Sequence, residues 1–453
     1  MTPRSLSPAT RREVSALLRL AVPVVTVQVG MMLMGVVDAM MLGRVSAEAL
    51  AAGALGNTVA FGVLMLPMGI LMGLDPLITQ AFGADDMARV GVHMRRGAAL
   101  AVVLTVPVSV VLARTEPLLE LLGQVEGVRG PAASYMRWLI PGNLAFLLFG
   151  VARQTLQGMS RVWPAVAAIV VANLFNGVAN YALVFGHFGL PRLEVVGSAM
   201  ATSMSRWVLL LVLVAIAWPV LGDRLRDGEQ PTWRLAAFRR ILAIGVPVGL
   251  QVSLEVWVFS TVAVLMGSLG ATELAGHQIA LSLAGLSFMV PLGVAAAATT
   301  RVGNALGRGD QPAAALSARL SLILGAGFMA CMGVVFSLLP EPLARLYSNQ
   351  VEVVTMAAAL IPIAGAFQIA DGTQVVGAGV LRGTADTRFP AILAFVGYWL
   401  LGLPAGLLLA FRLAYGPQGL WWGLTLGLAS VAALFLIRIR VRFAAEIPLM
   451  VHD

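Results

Sequence analysis

The sequence predicts an all-α polytopic membrane protein, with twelve transmembrane helices in two six-helix lobes related by a parallel, pseudo-two-fold repeat. Three observations predict it. The chain is 59% hydrophobic and only 11% charged, with mean hydropathy +0.89, whereas soluble proteins are about 25% charged. Apolar runs of the length that crosses a bilayer, about 20 residues, recur twelve times along the chain. The chain also matches itself at an offset of 224 residues.

The twelve runs fall at 14–42, 50–80, 93–113, 131–155, 163–187, 195–221, 239–267, 273–303, 313–339, 353–380, 388–412 and 417–437. Their length, with Gly and Pro inside many of them, fits helices and not the short alternating segments of a membrane barrel. At the 224-residue offset Pro23 falls on Pro247, Gly43 on Gly267, Pro67 on Pro291, Gly69 on Gly293 and Gly83 on Gly307, without a gap from 21–83 to 245–307. Apolar matches are cheap in this composition; matched Pro and Gly are not. Farther on, Pro141 answers Pro362, and LQGMSRVWPA (156–165) resembles LRGTADTRFPA (381–391). Six spans per half give both repeats one orientation, the parallel-repeat plan of several secondary transporters, whose sites lie between the repeats. Pro23 and Pro247 each remove a hydrogen bond from the first span of their half and permit a bend.

The longest polar connection, GDRLRDGEQPTWRLAAFRR (222–240), separates the halves. The predicted domains are an N-lobe at 1–221, a cytoplasmic linker at 222–238, and a C-lobe at 239–453 with a short basic cytoplasmic tail. Arginine placement sets the orientation. With the N-terminus in the cytoplasm, 22 Arg fall on the cytoplasmic side and seven on the other, and Arg206 lies within a span. Positive charge collects inside, so both termini are expected in the cytoplasm. The basic start MTPRSLSPATRREVSALLRL runs into a long helix, unlike a removable signal peptide. The net charge of +8 therefore reflects topology and contact with anionic lipid; it does not point to nucleic acid.

Composition excludes several chemistries. All 30 basic residues are arginine, so the chain has no P-loop lysine and no Schiff-base lysine. A single cysteine, Cys331, allows no internal disulfide, and His93, His187, His277 and His452 show no zinc spacing. HExxH and GxSxG are absent, which leaves an integral-membrane enzyme as a remote alternative. No cofactor is expected.

Four acids lie within the predicted spans: Asp38, Asp75, Glu255 and Asp371. A charge at the bilayer centre costs at least about 2.5–3.5 kcal/mol, so such residues face a bundle interior or water and mark ion pathways. Asp75, near a span end and followed by Pro76, reads as structural. Asp38 lies in MMLMGVVDAMMLG (31–43). Glu255, in LEVWVFSTVAVLMG (254–267), corresponds to Met31 under the offset. That is nearly two turns from Asp38 on the same face of the equivalent helix, about 10 Å apart in height. Gln251 and Phe259 are one turn from Glu255; Phe367, Gln368 and Gln374 are a turn or less from Asp371. Asn176 and Asn180 in VANLFNGVANY (171–181) are one turn apart and are candidates to join Asp38, with Thr202 in VGSAMATSMSR (196–206) a further one. The plain alternative for these three is helix-to-helix hydrogen bonding. Burial disfavours an ionised carboxylate, so such an acid can exchange a proton; with amide and hydroxyl oxygens it can instead hold sodium.

Together these residues identify a family. Pro23 and Asp38 in the first span, TQAFGADD (79–86) after the second, Asn176 and Asn180 in the fifth, LEVW (254–257) in the seventh, GNALGRGD (303–310) after the eighth and Asp371 in the tenth resemble the multidrug and toxic compound extrusion (MATE) transporters, NorM branch, over nearly the whole chain. The resemblance implies two six-helix lobes around a central cleft that opens to alternate sides. It implies export of cationic drugs or dyes in exchange for protons, sodium ions or both. It also implies a coupling-cation site at Asp38 with Asn176 and Asn180, and another at Glu255 and Asp371. Sequences similar to NorM can carry Tyr at the position of Phe367; its absence leaves one candidate sodium ligand fewer in the C-lobe. A bacterial inner-membrane location follows, and twelve spans suffice for a monomer. The rival within the superfamily, a lipid-linked oligosaccharide flippase, calls for several deep basic residues, and Arg206 is the one found. The 21 methionines, five of them between Met31 and Met41, offer an adaptable wall for varied drugs or ordinary packing.

Overall fold

In the computed structural model residues 7–121, 126–226 and 233–450 are described. Among them there is no β-strand, and twelve helices are long and apolar enough to cross a membrane. They are α1 (Pro8–Gly43), α2 (Ala47–Gly83), α3 (Met87–Ala113), α4 (Gly127–Gly158), α5 (Trp163–Phe185), α6 (Glu194–Asp223), α7 (Leu235–Leu269), α8 (Ala271–Gly307), α9 (Gln311–Leu338), α10 (Val351–Gly383), α11 (Arg388–Arg412) and α12 (Gly416–Ala444). Each corresponds to one of the twelve apolar runs. Of the connection at 222–238, residues 227–232 lie outside the described residues, as does His452.

The repeat is visible in local geometry. Asp86 and Asp310, 224 positions apart, cap α3 and α9: each Oδ1 accepts a hydrogen bond from the backbone N–H three residues on, at 2.9 Å in both cases. The residues just before them, Asp85 and Gly309, are both left-handed, with φ of 59° and 75°. Such a turn reverses the chain tightly, and Asp and Gly are among the residues that tolerate it. Ser160 and Ala385, at the two LQGMSRVWPA-type corners, both have φ of 60°. Short helices, Thr115–Leu121 and Pro340–Arg345, follow the third span of each half. Pro23 and Pro247 lie inside continuous helices.

The chain divides into two compact units. The N-unit contains Thr26–Leu74 and Asp86–Gly249; the C-unit contains Met1–Val25, Asp75–Asp85 and Leu250–Asp453. Within the N-unit, α4 packs on α2, α3 and α6, and α5 packs on α6. Within the C-unit, α10 is central, against α8, α9 and α12. The α9–α10 contact is backbone to backbone at Gly333 and Gly365. A Cβ on Gly365 would stand 2.8 Å from the Gly333 carbonyl oxygen, the small-residue packing that lets membrane helices approach closely. Asp75, the acid near a span end, pairs with buried Arg382 at 3.6 Å within the C-unit.

One departure from regular helix has no counterpart in the sequence reading. In α11, Phe395–Gly402 and Leu408–Arg412 are wound as π-helix, with α-helix between them. Small residues accompany the widened turns: a Cβ on Gly397 would meet the Val431 side chain, and one on Gly402 would stand 3.0 Å from the Gly423 carbonyl oxygen. These turns pack against α12, and π-wound segments often accompany functional sites.

Candidate functional site

The N-unit assembles its polar cluster from α1, α5 and α6. Asp38 is buried, five residues before the end of α1. Its Oδ1 accepts from Asn180 Nδ2 at 2.7 Å and from Asn176 Nδ2 at 3.2 Å; its Oδ2 accepts from Thr202 Oγ1 at 2.6 Å. Both Asn are fully buried, and Asn180 Nδ2 also reaches the Asn176 carbonyl oxygen at 3.0 Å. All four residues singled out for this site therefore meet, and Thr202 makes the shortest bond. The amide oxygens of Asn176 and Asn180 have no hydrogen-bond partner. Rotation of either amide would aim an oxygen at the carboxylate in place of an N–H, which is how such a site could receive a proton or a cation.

Arg206 follows Thr202 by one turn of α6. Its Nη1 donates to Asn143 Oδ1 at 2.6 Å, and its guanidinium sits 4.9 Å from the centroid of the Phe146 ring. It interacts electrostatically with Asp38 and Tyr135. The N-unit carboxylate thus has three hydrogen-bond donors and a positive charge arranged for its ionised form, set against the larger cost of burial. The sequence placed Arg206 within a span but did not link it to Asp38.

The C-unit cluster is of a different kind. Glu255 on α7 and Asp371 on α10 act on each other electrostatically. Gln374 Nε2 donates to Glu255 Oε2 at 3.2 Å. Gln251, expected to support Glu255 from one turn away, is buried, but the bond to Glu255 comes from α10. Gln368 donates to Ser287 Oγ on α8 at 2.7 Å. Phe367 stacks on Trp421 of α12, with ring centroids 5.5 Å apart at 19°, and His277 meets the edge of the same indole at 5.6 Å. Phe367 therefore serves as packing that holds α10 against α12, beside the acids.

Sequence reasoning missed two side chains of this cluster. Tyr398 on α11 is buried and interacts electrostatically with Glu255 and Asp371. Trp399, next to it, donates through Nε1 to the Leu254 carbonyl oxygen at 3.2 Å. Nothing in the run FVGYWLLG marks either residue, since an aromatic in an apolar span is ordinary packing. Among the described residues no three His, Cys, Asp or Glu gather as a metal-binding group. A cation in either cluster would be held by one or two carboxylates and neutral oxygens, the ligand type of hard cations.

Comparison with known proteins agrees with this architecture. The MatE family profile matches the chain twice, over residues 23–182 and 247–408, copies that begin 224 residues apart. The multidrug resistance protein MdtK of Edwardsiella ictaluri is 36% identical over 437 residues, covering 95% of each chain. Among solved structures, the eukaryotic MATE transporter AtDTX14 superposes with a TM-score of 0.89 at 25% identity, covering 96% of both chains. The Vibrio cholerae MATE transporter VcmN superposes with a TM-score of 0.85 at 17% identity, covering 97% of this chain and 98% of the other.

Proposed function

This chain belongs to the MATE family of multidrug efflux transporters, and on that premise we propose that it is a secondary active antiporter of the NorM branch. It exports organic cations and drugs by alternating access, in exchange for protons, sodium ions or both. Family membership makes it a transporter and not an enzyme.

The observation that carries the exchange reading is a pair of acid clusters within the spans, one in each unit, in which Asp38 and Asp371 are buried and Glu255 is half-buried. Each is built from helices far apart in sequence. Asp38, with Asn176, Asn180 and Thr202, forms one exchange site; Glu255 and Asp371, with Gln374, form the other. Burying acids without function is expensive in a bilayer. An acid that binds a coupling cation in one conformation and releases it in another has a use for that cost. Coupling requires that cation and drug differ in their affinities for the two conformations. A buried acid cluster supplies the difference, because it does not stably hold a proton or sodium ion and a cationic drug together.

The moving bodies are the lobes at 1–221 and 239–453, joined by the connection at 222–238. Both termini lie in the cytoplasm, the chain sits in the bacterial inner membrane, and a monomer suffices. On the flippase alternative, the one arginine that the sequence places deep within a span, Arg206, is engaged by Asn143 and the Phe146 ring.

The test uses proteoliposomes loaded with a cationic dye such as ethidium, with membrane potential clamped. A proton gradient and a sodium gradient are imposed separately. Wild type should show gradient-driven dye flux, and Glu255→Gln should lose it while eluting as a folded monodisperse protein. Undiminished gradient-driven flux in Glu255→Gln would falsify the role of Glu255. Flux indifferent to both gradients in wild type would remove the antiporter reading.

A further inference from the structure

Proline inside a transmembrane helix deprives the carbonyl one turn before it of its usual donor and loosens the turn around it. Pro141 does this inside α4, and α6 supplies side chains to the loosened turn. In a regular α-helix the Gly142 N–H would bond to the Trp138 carbonyl oxygen. Here Ser203 Oγ of α6 serves both groups: it accepts from the Gly142 N–H at 3.1 Å and donates to the Trp138 carbonyl oxygen at 2.7 Å. Two more bonds from α6 follow one turn on. Trp207 Nε1 donates to the Pro141 carbonyl oxygen at 3.0 Å, and Arg206 Nη1 donates to Asn143 Oδ1 at 2.6 Å. The two backbones meet at this point, where a Cβ on Gly142 would stand 2.7 Å from the Ser203 Cα.

The same turn of α6 reaches Asp38. Thr202 precedes Ser203, about 100° away around the helix, so one hydroxyl bonds α1 and the next bonds α4. All of these residues lie within the N-unit. The Thr202 Oγ1 to Asp38 Oδ2 distance is 2.6 Å, and such a bond is lost once its atoms part by about 1 Å. The site therefore tolerates little sliding or turning of α6. Of the bonds to α4, that of Ser203 holds the α6 backbone most directly. Its hydroxyl is one carbon from the helix, is buried, and engages α4 as donor and acceptor at once. The longer side chains of Arg206 and Trp207 adjust their rotamers to a moved backbone.

We propose that Ser203 is a positioning residue for the Asp38 site: its hydroxyl, set into the hydrogen-bond ladder of α4 beside Pro141, fixes α6 so that Thr202 Oγ1 stays on Asp38 Oδ2. The proposal rests on the reading of Asp38 as an exchange site and deepens it, because it makes the acid's affinity for a coupling cation depend on the winding of α4. Ser203→Ala removes the hydroxyl and leaves the Gly142 N–H and the Trp138 carbonyl oxygen free to bond to each other. No buried backbone group is then stranded, so the variant keeps its fold.

The experiment measures the Thr202–Asp38 pair itself. The purified full-length protein in mixed micelles is taken through a Thr202→Val and Asp38→Ala double-mutant cycle by unfolding titration, in wild type and again in Ser203→Ala. The control background is Ser205→Ala, which removes a fully buried hydroxyl of α6 whose bond, at 2.7 Å, is to the Ala201 carbonyl oxygen of its own helix. The coupling should be lost in Ser203→Ala and kept in Ser205→Ala. In proteoliposomes, the concentration of the driving cation that gives half-maximal dye flux should move about tenfold from its wild-type value in Ser203→Ala, the scale of one hydrogen bond to a charged group. It should stay in place in Ser205→Ala. Ser203→Thr, which keeps the hydroxyl, should match wild type in both measurements. Equal coupling in wild type and Ser203→Ala, or equal losses in the two alanine variants, overturns the role of Ser203, whereas gradient-driven flux in wild type leaves the exchange reading standing. Flux indifferent to both gradients in wild type removes the exchange reading, and the positioning role with it.

Discussion

Replacing Thr202 by Val removes one hydroxyl from the N-unit cluster and leaves the side-chain shape almost unchanged. The Thr202 Oγ1 to Asp38 Oδ2 distance is 2.6 Å, in the range of hydroxyl bonds to an ionised acceptor. The two Asn amides converge on the other oxygen, Oδ1, so neither substitutes for the lost donor without moving. A hydrogen bond to a charged group contributes about 1.5–3 kcal/mol. Neutral interhelical bonds in membrane proteins average about 0.6 kcal/mol, because the unfolded chain in the membrane also finds partners. The two cases are far enough apart to distinguish. A double-mutant cycle of Thr202→Val and Asp38→Ala isolates the pair from the damage each change does alone. Unfolding is followed by detergent titration in mixed micelles, with tryptophan fluorescence as the signal. The expected coupling is about 2 kcal/mol, taken from the charged range. A coupling near the neutral average would mean that Asp38 is not held as an anion by these donors, and the account of the N-unit site would be wrong.

Two further outcomes concern the scaffold. Asp310→Ala and Asp86→Ala each remove a side-chain cap with the same 2.9 Å geometry, and each should cost about 1 kcal/mol in the same unfolding assay; a large difference between them would show that the repeat does not extend to cap energetics. Gly365→Ala pushes a methyl group against the Gly333 carbonyl oxygen at 2.8 Å and should cost about 1–3 kcal/mol. Gly327→Ala, on α9 with nothing within 4 Å of the added carbon, should be neutral or stabilising by up to about 1 kcal/mol, and equal effects at the two sites would refute the close-packing argument.

Much of this fold is legible because a bilayer makes the rules strict. A helix that crosses it must be long and apolar, so twelve runs become twelve helices with ends displaced by a few residues. The N-unit site is legible for a related reason: Asp38, Asn176, Asn180 and Thr202 are expensive in an apolar span unless they meet, and they do. The C-unit site is less so. Spacing along α7 put Gln251 beside Glu255, but spacing reports which side chains share a face and not which donor wins the acceptor. Gln374 reaches Glu255 from another helix. Tyr398 and the π-winding of α11 were hidden because winding there follows contacts with α12 at Gly423 and Val431, and an apolar sequence carries no local mark of its partner helix.

The two acid clusters differ in charge, and the difference bears on how they divide the work of exchange. Asp38 has Arg206 as an electrostatic partner and donor groups on both carboxylate oxygens, so its anion has protein partners without any bound ion. Glu255 and Asp371 act on each other electrostatically, and the Oε1 of their neighbour Gln374 has no hydrogen-bond partner. Two carboxylates without a matching positive charge are costly to ionise together, and such a pair gains most from a proton or a bound cation. Under the proposed exchange, the C-unit is therefore the site that must be filled in every conformation, by proton, metal ion or cationic drug in turn. The N-unit site can be emptied at lower cost, because three donors and Arg206 favour its anion. On this argument Arg206→Met, which removes the matching charge, should make dye transport more dependent on the cation gradient, whereas the same change would be silent if Asp38 served packing alone.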